Sequence, residues 1–188
     1  MNPPIRILIQ PGLNNSGPGH WQSLWQQLHP EFERVEQADW DQPQLSDWLD
    51  TLQQHLAASS APTVIIAHSL GSIATAHLAA RGLGANLLGA LLVAPADVER
   101  ADAPPEVRNF APLPLTALPI PTIVVASDND PYCNWARSEQ LAQAWGSELV
   151  RLNAAGHINS DSGFGEWKFG LTLLQRLLER VTPQLAVQ

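Results

Sequence analysis

Residues 63–72 read TVIIAHSLGS, and this run alone narrows the choice of fold. Apolar and β-branched residues continue up to His68, and from Leu70 onward the apolar residues recur at helical spacing. A strand that turns directly into a helix is the repeating unit of parallel α/β proteins. The serine in the turn, Ser69, is either the N-cap of that helix or a reactive group, and other parts of the chain have to distinguish the two.

The same succession of strand and helix extends along the chain. Short runs of isoleucine, valine and leucine predict further strands at residues 5–10, 87–94 and 122–127, with weaker edge candidates at 33–37 and 148–152. Apolar spacing of three and four predicts helices around residues 21–28, 45–56, 70–78, 141–145 and 171–178. Continuous apolar strands are typical of a parallel sheet covered on both faces. We therefore expect an α/β fold, a three-layer sandwich with a mostly parallel sheet, in one domain over residues 1–188.

Residues 95–121 interrupt this pattern. They carry seven prolines and show neither helical nor strand spacing. Long irregular segments of this kind are often functional or mobile. We expect a surface excursion here that leaves the neighbouring site open.

Composition excludes several classes of function. The formal net charge is -8, from 10 Lys and Arg against 18 Asp and Glu, which argues against nucleic acid or an anionic membrane as a partner. No run approaches the roughly 20 apolar residues that span a bilayer, and the N-terminal run is interpreted as a strand rather than a signal peptide. The single cysteine, Cys133, cannot form an intramolecular disulfide, so we expect a cytoplasmic location.

A serine, a pair of aspartates and a histidine, the side chains of a catalytic triad, each follow a different predicted strand. Ser69 lies in Ala67-His68-Ser69-Leu70-Gly71, where small residues stand two positions on either side of a serine, as in a nucleophile elbow. Asp128 and Asp130 follow the strand at 122–127, and His157 follows the last strand. Reacting groups of open α/β sheets collect at the carboxyl edge of the strands. This order predicts a Ser-Asp-His triad, with either aspartate as its acid.

His68 is a poor candidate for the base, because neighbouring side chains of an extended segment point apart. We expect it to pack instead. The proposed oxyanion hole consists of the backbone N–H groups of Leu70, which follows the nucleophile, and Leu13, in the loop PGLNNSGPGHW after the first strand.

Other conspicuous residues have more ordinary interpretations. The remaining histidines show no metal-ligand spacing, so we expect no zinc and no cofactor. Cys133 is either a reactive thiol or a small packing residue. The seven tryptophans are expected in the core, with one or two lining an acyl pocket.

Four motifs in this order resemble one known family. PGLNNSGPGHWQSLW, AHSLGS, SDNDPYC and GHINSDSGFGEW are similar to motifs of the small α/β-hydrolase-fold serine hydrolases of the retinoblastoma-binding-protein-like and YdeN-like type. The resemblance covers nearly the whole chain. It implies a compact fold without a large lid domain and a triad of Ser69, Asp130 and His157, with Asp130 preferred over Asp128. It also implies esterase-like or related acyl-hydrolase activity on a small-molecule substrate, without metal or cofactor.

Two alternatives stay open beside a serine hydrolase. The first is a non-catalytic protein-binding or ligand-binding module that retains the pocket; the protein-binding role of animal relatives maps onto no motif here. The second is a different α/β protein that binds nucleotides. The loop after the first strand lacks the Gly-Lys-Ser/Thr sequence of a P-loop, which counts against the second.

Overall fold

Six strands form one sheet in the computed structural model, which describes residues 4–183. They are β1 (Arg6–Gln10), β2 (Glu33–Arg34), β3 (Thr63–His68), β4 (Leu87–Val93), β5 (Thr122–Ser127) and β6 (Glu148–Leu152). Their order across the sheet is β2-β1-β3-β4-β5-β6, and every neighbouring pair is parallel. The predicted parallel sheet is confirmed, with the two weaker strands at its edges. The ends of the predicted domain, residues 1–3 and 184–188, lie outside the described residues.

Within residues 4–183, five α-helices cover the two faces of the sheet. They are α1 (Trp21–Leu28), α2 (Leu45–Ala57), α3 (Leu70–Ala80), α4 (Trp135–Trp145) and α5 (Lys168–Val181). Alternate residues of a strand point to opposite faces, and β3 illustrates this: Val64 and Ile66 join the core beneath α1 and α5. Ile65 and Ala67 join the core beneath α2, α3 and α4. The three-layer sandwich is therefore confirmed.

Among the helices of residues 4–183, α3 is the most deeply enclosed. Every residue from Leu70 to Ala79 is buried, which is possible because most of its side chains are as small as alanine, glycine or serine. Its first residue follows directly on Ser69 at the end of β3. A fully buried strand and the most buried helix thus meet at the serine, and this enclosed junction fixes the position of the serine backbone.

The expectation for residues 95–121 is wrong. Instead of an open surface excursion, this segment carries buried side chains that join the core, and it contains a short 3-10 helix at Pro105–Phe110. Those side chains are Val98, Ala103, Val107, Phe110, Leu113 and Leu118. His77 Nε2 of α3 donates a hydrogen bond to the Phe110 carbonyl at 2.8 Å, since a carbonyl can only accept. The apolar positions follow no regular period, so spacing gave no sign that they are buried.

Candidate active site

Ser69 occupies the strained turn that its motif predicts. Its backbone has φ 55° and ψ -123°, a conformation that non-glycine residues rarely adopt. The residue stands at the N-cap position of α3, but its side chain makes no capping hydrogen bond. Its Oγ lies 2.8 Å from His157 Nε2 instead. The turn therefore directs the hydroxyl towards a histidine rather than back onto the helix.

His157 lies between Ser69 and Asp130. Its Nδ1 is 2.9 and 3.0 Å from the two carboxylate oxygens of Asp130, whose side chain is only 2% exposed. A carboxylate can only accept, so Nδ1 carries the proton and Nε2 is free to accept from the Ser69 hydroxyl. Asp130 Oδ1 also accepts the Tyr132 N–H at 2.8 Å, which fixes the carboxylate. The structure thus brings all three predicted side chains into one continuous chain of hydrogen bonds.

Asp128 has different partners. Its Oδ1 accepts the Ala154 N–H at 2.8 Å and its Oδ2 lies 3.0 Å from Arg151 Nη2. The Ala154 N–H first, and then Arg151, hold the pKa of Asp128 below its usual range. The carboxylate holds the loop that precedes His157 and makes no hydrogen bond to the histidine itself.

Two further side chains, which the sequence analysis did not single out, position the same loop. Ser127 Oγ accepts the Ala155 N–H at 2.9 Å, and Asn129 Oδ1 accepts the Gly156 N–H at 2.7 Å. With Asp128, three consecutive residues, the last of β5 and the two that follow it, accept hydrogen bonds from three consecutive amides before His157. The signal in the sequence was the run Ser-Asp-Asn-Asp, in which every residue carries a side-chain acceptor.

His68 is buried and packs beside the site, as expected. Its Nε2 donates to the backbone carbonyl of His157 at 2.9 Å, and its ring centroid is 4.9 Å from that of His157. Burial, more than the neighbouring histidines, holds the pKa of His68 well below its usual value, so the ring is neutral. It supports the loop of His157 and makes no hydrogen bond to Ser69.

The two amides predicted for the oxyanion hole have no protein acceptor. Within residues 4–183, neither the N–H of Leu13 nor that of Leu70 donates to a protein group, and both residues line the cavity that contains Ser69. The two loops are in close contact: a Cβ added to Gly12 would lie 2.9 Å from Ser69 Cβ and 3.1 Å from Leu70 N. Buried amides normally find partners, so two free amides beside the serine are suited to binding an anionic oxygen.

Gly71, the small residue two positions after the serine, is required because backbone atoms of a neighbouring segment lie close to it. A Cβ added to Gly71 would lie 2.5 Å from the Gln10 carbonyl oxygen and closer still to that of Pro11. These are backbone atoms of a core strand and its turn, which cannot easily move. The requirement for a small residue at this position of the motif thus has a direct structural cause.

Replacing Gly71 with alanine is expected to destabilise the protein by about 2–3 kcal/mol, because overpacking against backbone costs roughly this much. The matched control is Gly19→Ala, since a Cβ there would meet no atom within 4 Å. That change is expected to alter the free energy of unfolding by less than about 1 kcal/mol. Urea denaturation of both variants checks the prediction, and equal stability of the two would contradict it.

A cavity of about 530 Å³ adjoins the serine. Four segments wall it: the loop after β1, the segment 95–121, the loop between β5 and α4, and the loop around His157. Lining residues from these walls include Leu13, Asn14, Arg100, Val107, Tyr132 and Asn159. None of the seven tryptophans, all of which fall within residues 4–183, lines this cavity, so that part of the expectation is wrong. Trp21 and Trp25 are instead fully enclosed in the core. Their indole N–H groups donate hydrogen bonds to the backbone carbonyls of Ile158 and Glu166, respectively.

Other candidate chemistry is not supported by the geometry. Cys133 is buried, and burial raises the pKa of its thiol to about 11, which favours the packing interpretation. In the described part of the chain, no three His, Cys, Asp or Glu residues lie together as a metal site would require. No helix between residues 4 and 183 has the length and apolar character needed to cross a membrane.

His20 is a buried histidine that the sequence left without a role. Its Nδ1 accepts the Gln22 N–H at 3.2 Å and caps α1, while its Nε2 is buried and has no partner within the described residues. Burial first, and then the charges of Arg34 and His157, lower the pKa of His20 to about 4. The ring is therefore neutral at pH 7.

This burial predicts acid sensitivity. Between pH 6.5 and about 4 the unfolded chain binds a proton at His20 that the folded chain does not, so the free energy of unfolding falls as the pH falls. From about pH 7.5 to about pH 5 the loss from this one group is about 2 kcal/mol. Burial also lowers the pKa of His68, so this histidine too makes the free energy of unfolding fall as the pH falls. Urea unfolding of the wild type and of His20→Asn at both pH values checks this. The asparagine keeps a capping acceptor but does not titrate, so the variant should lose less free energy of unfolding on acidification. Equal losses in the two proteins would contradict the prediction.

Two solved structures are similar to this chain in fold. A protein from Pectobacterium atrosepticum described as a YdeN-like hydrolase has 35% sequence identity, with a TM-score of 0.85 over 94% of this chain and 92% of the other. The ydeN gene product of B. subtilis has 23% identity and a TM-score of 0.72, over 92% of this chain and 98% of the other. At that lower identity the likeness concerns the fold alone. None of the curated proteins is significantly similar in sequence.

The family comparison covers most of the chain. The sequence pattern of the serine hydrolase family matches residues 7–176, which include every strand of the sheet except the first residue of β1. The matched range also contains Ser69, Asp130 and His157. The chain therefore belongs to the serine hydrolase family.

Proposed function

We propose that this serine hydrolase cleaves esters or related acyl compounds through a covalent acyl-enzyme, with Ser69 as nucleophile, His157 as base and Asp130 as the acid that orients it. The observation that carries the proposal is the unbroken hydrogen-bond chain from Asp130 through His157 to the Ser69 hydroxyl. A serine hydroxyl is a weak nucleophile by itself and is activated when a positioned base removes its proton. The proposed substrate is a small molecule that fits the 530 Å³ cavity.

In the acylation half, Ser69 Oγ attacks the carbonyl carbon while its proton passes to His157 Nε2. The carbonyl oxygen takes up the negative charge, and the free N–H groups of Leu13 and Leu70 stabilise it. Asp130 holds the ring and stabilises the charged imidazolium. When the tetrahedral intermediate collapses, the bond to the leaving group breaks and the leaving oxygen takes the proton from Nε2.

In the deacylation half, water replaces the leaving group. His157 Nε2 takes a proton from this water, whose oxygen attacks the acyl carbon. The carbon–oxygen bond to Ser69 then breaks, and Ser69 Oγ recovers a proton from Nε2. The acid product leaves, and each step uses only groups of the chain and water. A cytoplasmic location is compatible with this chemistry and with the single buried cysteine.

The proposal predicts burst kinetics with activated esters. When 4-nitrophenyl acetate or butyrate is mixed with the enzyme, about one equivalent of nitrophenol should form before the slower steady state, since acylation releases nitrophenol before water attacks. Steady turnover without a burst means that acylation limits the rate and the acyl adduct does not accumulate; loss of turnover in Ser69→Ala then tests the nucleophile. A binding module without catalysis, the alternative left open by the sequence, would give neither turnover nor adduct.

A further inference from the structure

The cavity beside Ser69 contains a cationic side chain that the proposed mechanism does not use. Arg100 lies in its wall, and the side chain is 17% exposed. Its Nη1 donates to the Asp97 carbonyl at 3.0 Å. Its Nη2 has no hydrogen-bond partner in residues 4–183, and its buried Nε lies 3.1 Å from Asp102 Oδ1 without hydrogen-bond geometry. The Nε and Nη2 edge of the guanidinium therefore has two donors that the protein leaves unsatisfied.

That edge is the one that binds carboxylates in a bidentate manner. Two parallel N–H donors match the two oxygens of a carboxylate, and such pairs are stronger than neutral hydrogen bonds. Asp102, the protein carboxylate beside this edge, is 83% exposed and so holds Arg100 only weakly. A carboxylate that enters the cavity would bind the unpartnered Nη2 and would take the buried Nε by displacing the exposed Asp102 carboxylate.

The other charged groups nearby leave Arg100 free for this role. The carboxylates of Asp97 and Glu99 both pair with Arg137 of α4. Neither of them lines the cavity; within residues 4–183 the one acidic residue that does is Asp161, which is exposed. The chain as a whole is acidic, with a net charge of -8, so an anionic substrate would need a local cation to be held here.

Tyr132 links this cation to the reactive groups. The Arg100 guanidinium carbon lies 5.2 Å from the centroid of the Tyr132 ring, and the His157 ring lies 4.6 Å from the same centroid. These two distances place the guanidinium carbon at most about 10 Å from the centre of the His157 ring. A carboxylate bound at Arg100 would then lie a few bonds from the acyl group that is cleaved.

We infer that Arg100 binds a carboxylate of the substrate, so that the substrates are esters or related acyl compounds that carry a free carboxylate a few bonds from the scissile bond. This inference rests on the proposed function. The competing role of Arg100 is structural, because its contact with the Asp97 carbonyl also closes the turn at residues 97–100. The two roles differ in what they predict for charged and neutral substrates.

The test compares two matched pairs of esters. In 4-acetoxybenzoate and its methyl ester, the carboxylate is on the leaving group; in mono(4-nitrophenyl) adipate and 4-nitrophenyl hexanoate, it is on the acyl group. The readout is the ratio of kcat/KM for the anionic ester to that for its neutral partner. In Arg100→Gln this ratio is expected to fall about tenfold to a hundredfold in at least one pair, because a charge-assisted contact is lost.

Three further variants complete the test. Arg100→Lys keeps the charge without the planar fork and should lower the ratio less. Asp102→Asn removes the competing carboxylate and should raise the ratio. Arg81→Gln makes the same change of charge at an exposed residue that does not line the cavity, so it should leave the ratio within about twofold of wild type.

The outcomes separate the inference from the proposed function. If the neutral esters are hydrolysed and the ratio in Arg100→Gln stays within twofold of wild type in both pairs, the inference is overturned. The same holds if Arg81→Gln lowers the ratio equally. If Arg100→Gln fails to fold, an unchanged ratio in Asp102→Asn overturns it instead. If the wild type hydrolyses none of the four esters, the proposed function itself is rejected and the inference falls with it.

Discussion

Replacing Ser69 with alanine is expected to lower kcat for ester hydrolysis by about 10⁵–10⁶-fold, because no other group can form the acyl-enzyme. Residual hydrolysis would come from the Leu13 and Leu70 amides and from binding alone. The variant should remain folded, since Ser69 Oγ makes no capping hydrogen bond to α3. Steady-state kinetics with a 4-nitrophenyl ester, together with a melting curve, check both parts.

Ser72→Ala is the matched control for this change. Ser72 lies one turn further along α3, where its Oγ donates to the Val93 carbonyl at 3.1 Å. Losing this hydrogen bond should cost about 1 kcal/mol of stability and leave kcat within a few-fold of wild type. If Ser69→Ala keeps a rate comparable to that of Ser72→Ala, another residue is the nucleophile and the mechanism is wrong.

Replacing Asp130 with asparagine is expected to lower kcat by about four orders of magnitude, by analogy with the serine-protease aspartate. An asparagine amide can donate to Nδ1, so it stabilises the tautomer that carries its proton on Nε2 and cannot accept from Ser69. The geometry of the site would survive while its protonation became wrong. Turnover measured with the same ester, and a melting curve to confirm folding, test this.

Asp128→Asn is the comparison that distinguishes the two acids. The Asp128 carboxylate accepts hydrogen bonds from the Ala154 N–H and from Arg151, and it makes no hydrogen bond to the His157 ring. An asparagine side chain still offers an oxygen to the Ala154 N–H, so kcat should fall by no more than about tenfold. A severe loss in Asp128→Asn with a mild one in Asp130→Asn would reverse the assignment.

Much of the fold was predictable because its signals are local. The strand at residues 122–127 agrees with β5 at both ends, and Gly146 ends α4 in the left-handed conformation that favours glycine. The strand predicted at 33–37 was too long, since β2 pairs over only Glu33 and Arg34 at the edge of the sheet. The motif around Ser69 was informative because its strand, its turn and its helix are adjacent in sequence.

The choice between the two aspartates was less accessible to local reasoning. Asp128 and Asp130 follow the same strand, so spacing left both open and the family resemblance alone favoured Asp130. In the structure it is Asp130 that faces His157, 27 residues further along the chain. The catalytic roles of Ser69, Asp130 and His157 stay predictions, because the distances between them describe an arrangement and no measured activity. The same holds for the Leu13 and Leu70 amides.

The features that sequence reasoning missed depend on contacts between distant residues. The fit of the segment 95–121 against the core depends on Trp48 and His77, which lie in other elements. Arg100 became informative only when the structure placed it in the wall of the cavity with Ser69. In the sequence it is one of ten Lys and Arg residues, and nothing in its neighbours distinguishes it.

Labelling with a fluorophosphonate probe, followed by mass mapping of the modified residue, is the first experiment to make. Such a probe reacts with serines that a neighbouring base activates. If Ser69 is activated by His157, the wild type should carry about one label, located on Ser69; Ser69→Ala should carry none, and His157→Ala should react far more slowly. A folded wild type that stays unlabelled, or a label that persists in Ser69→Ala, would contradict the proposed mechanism.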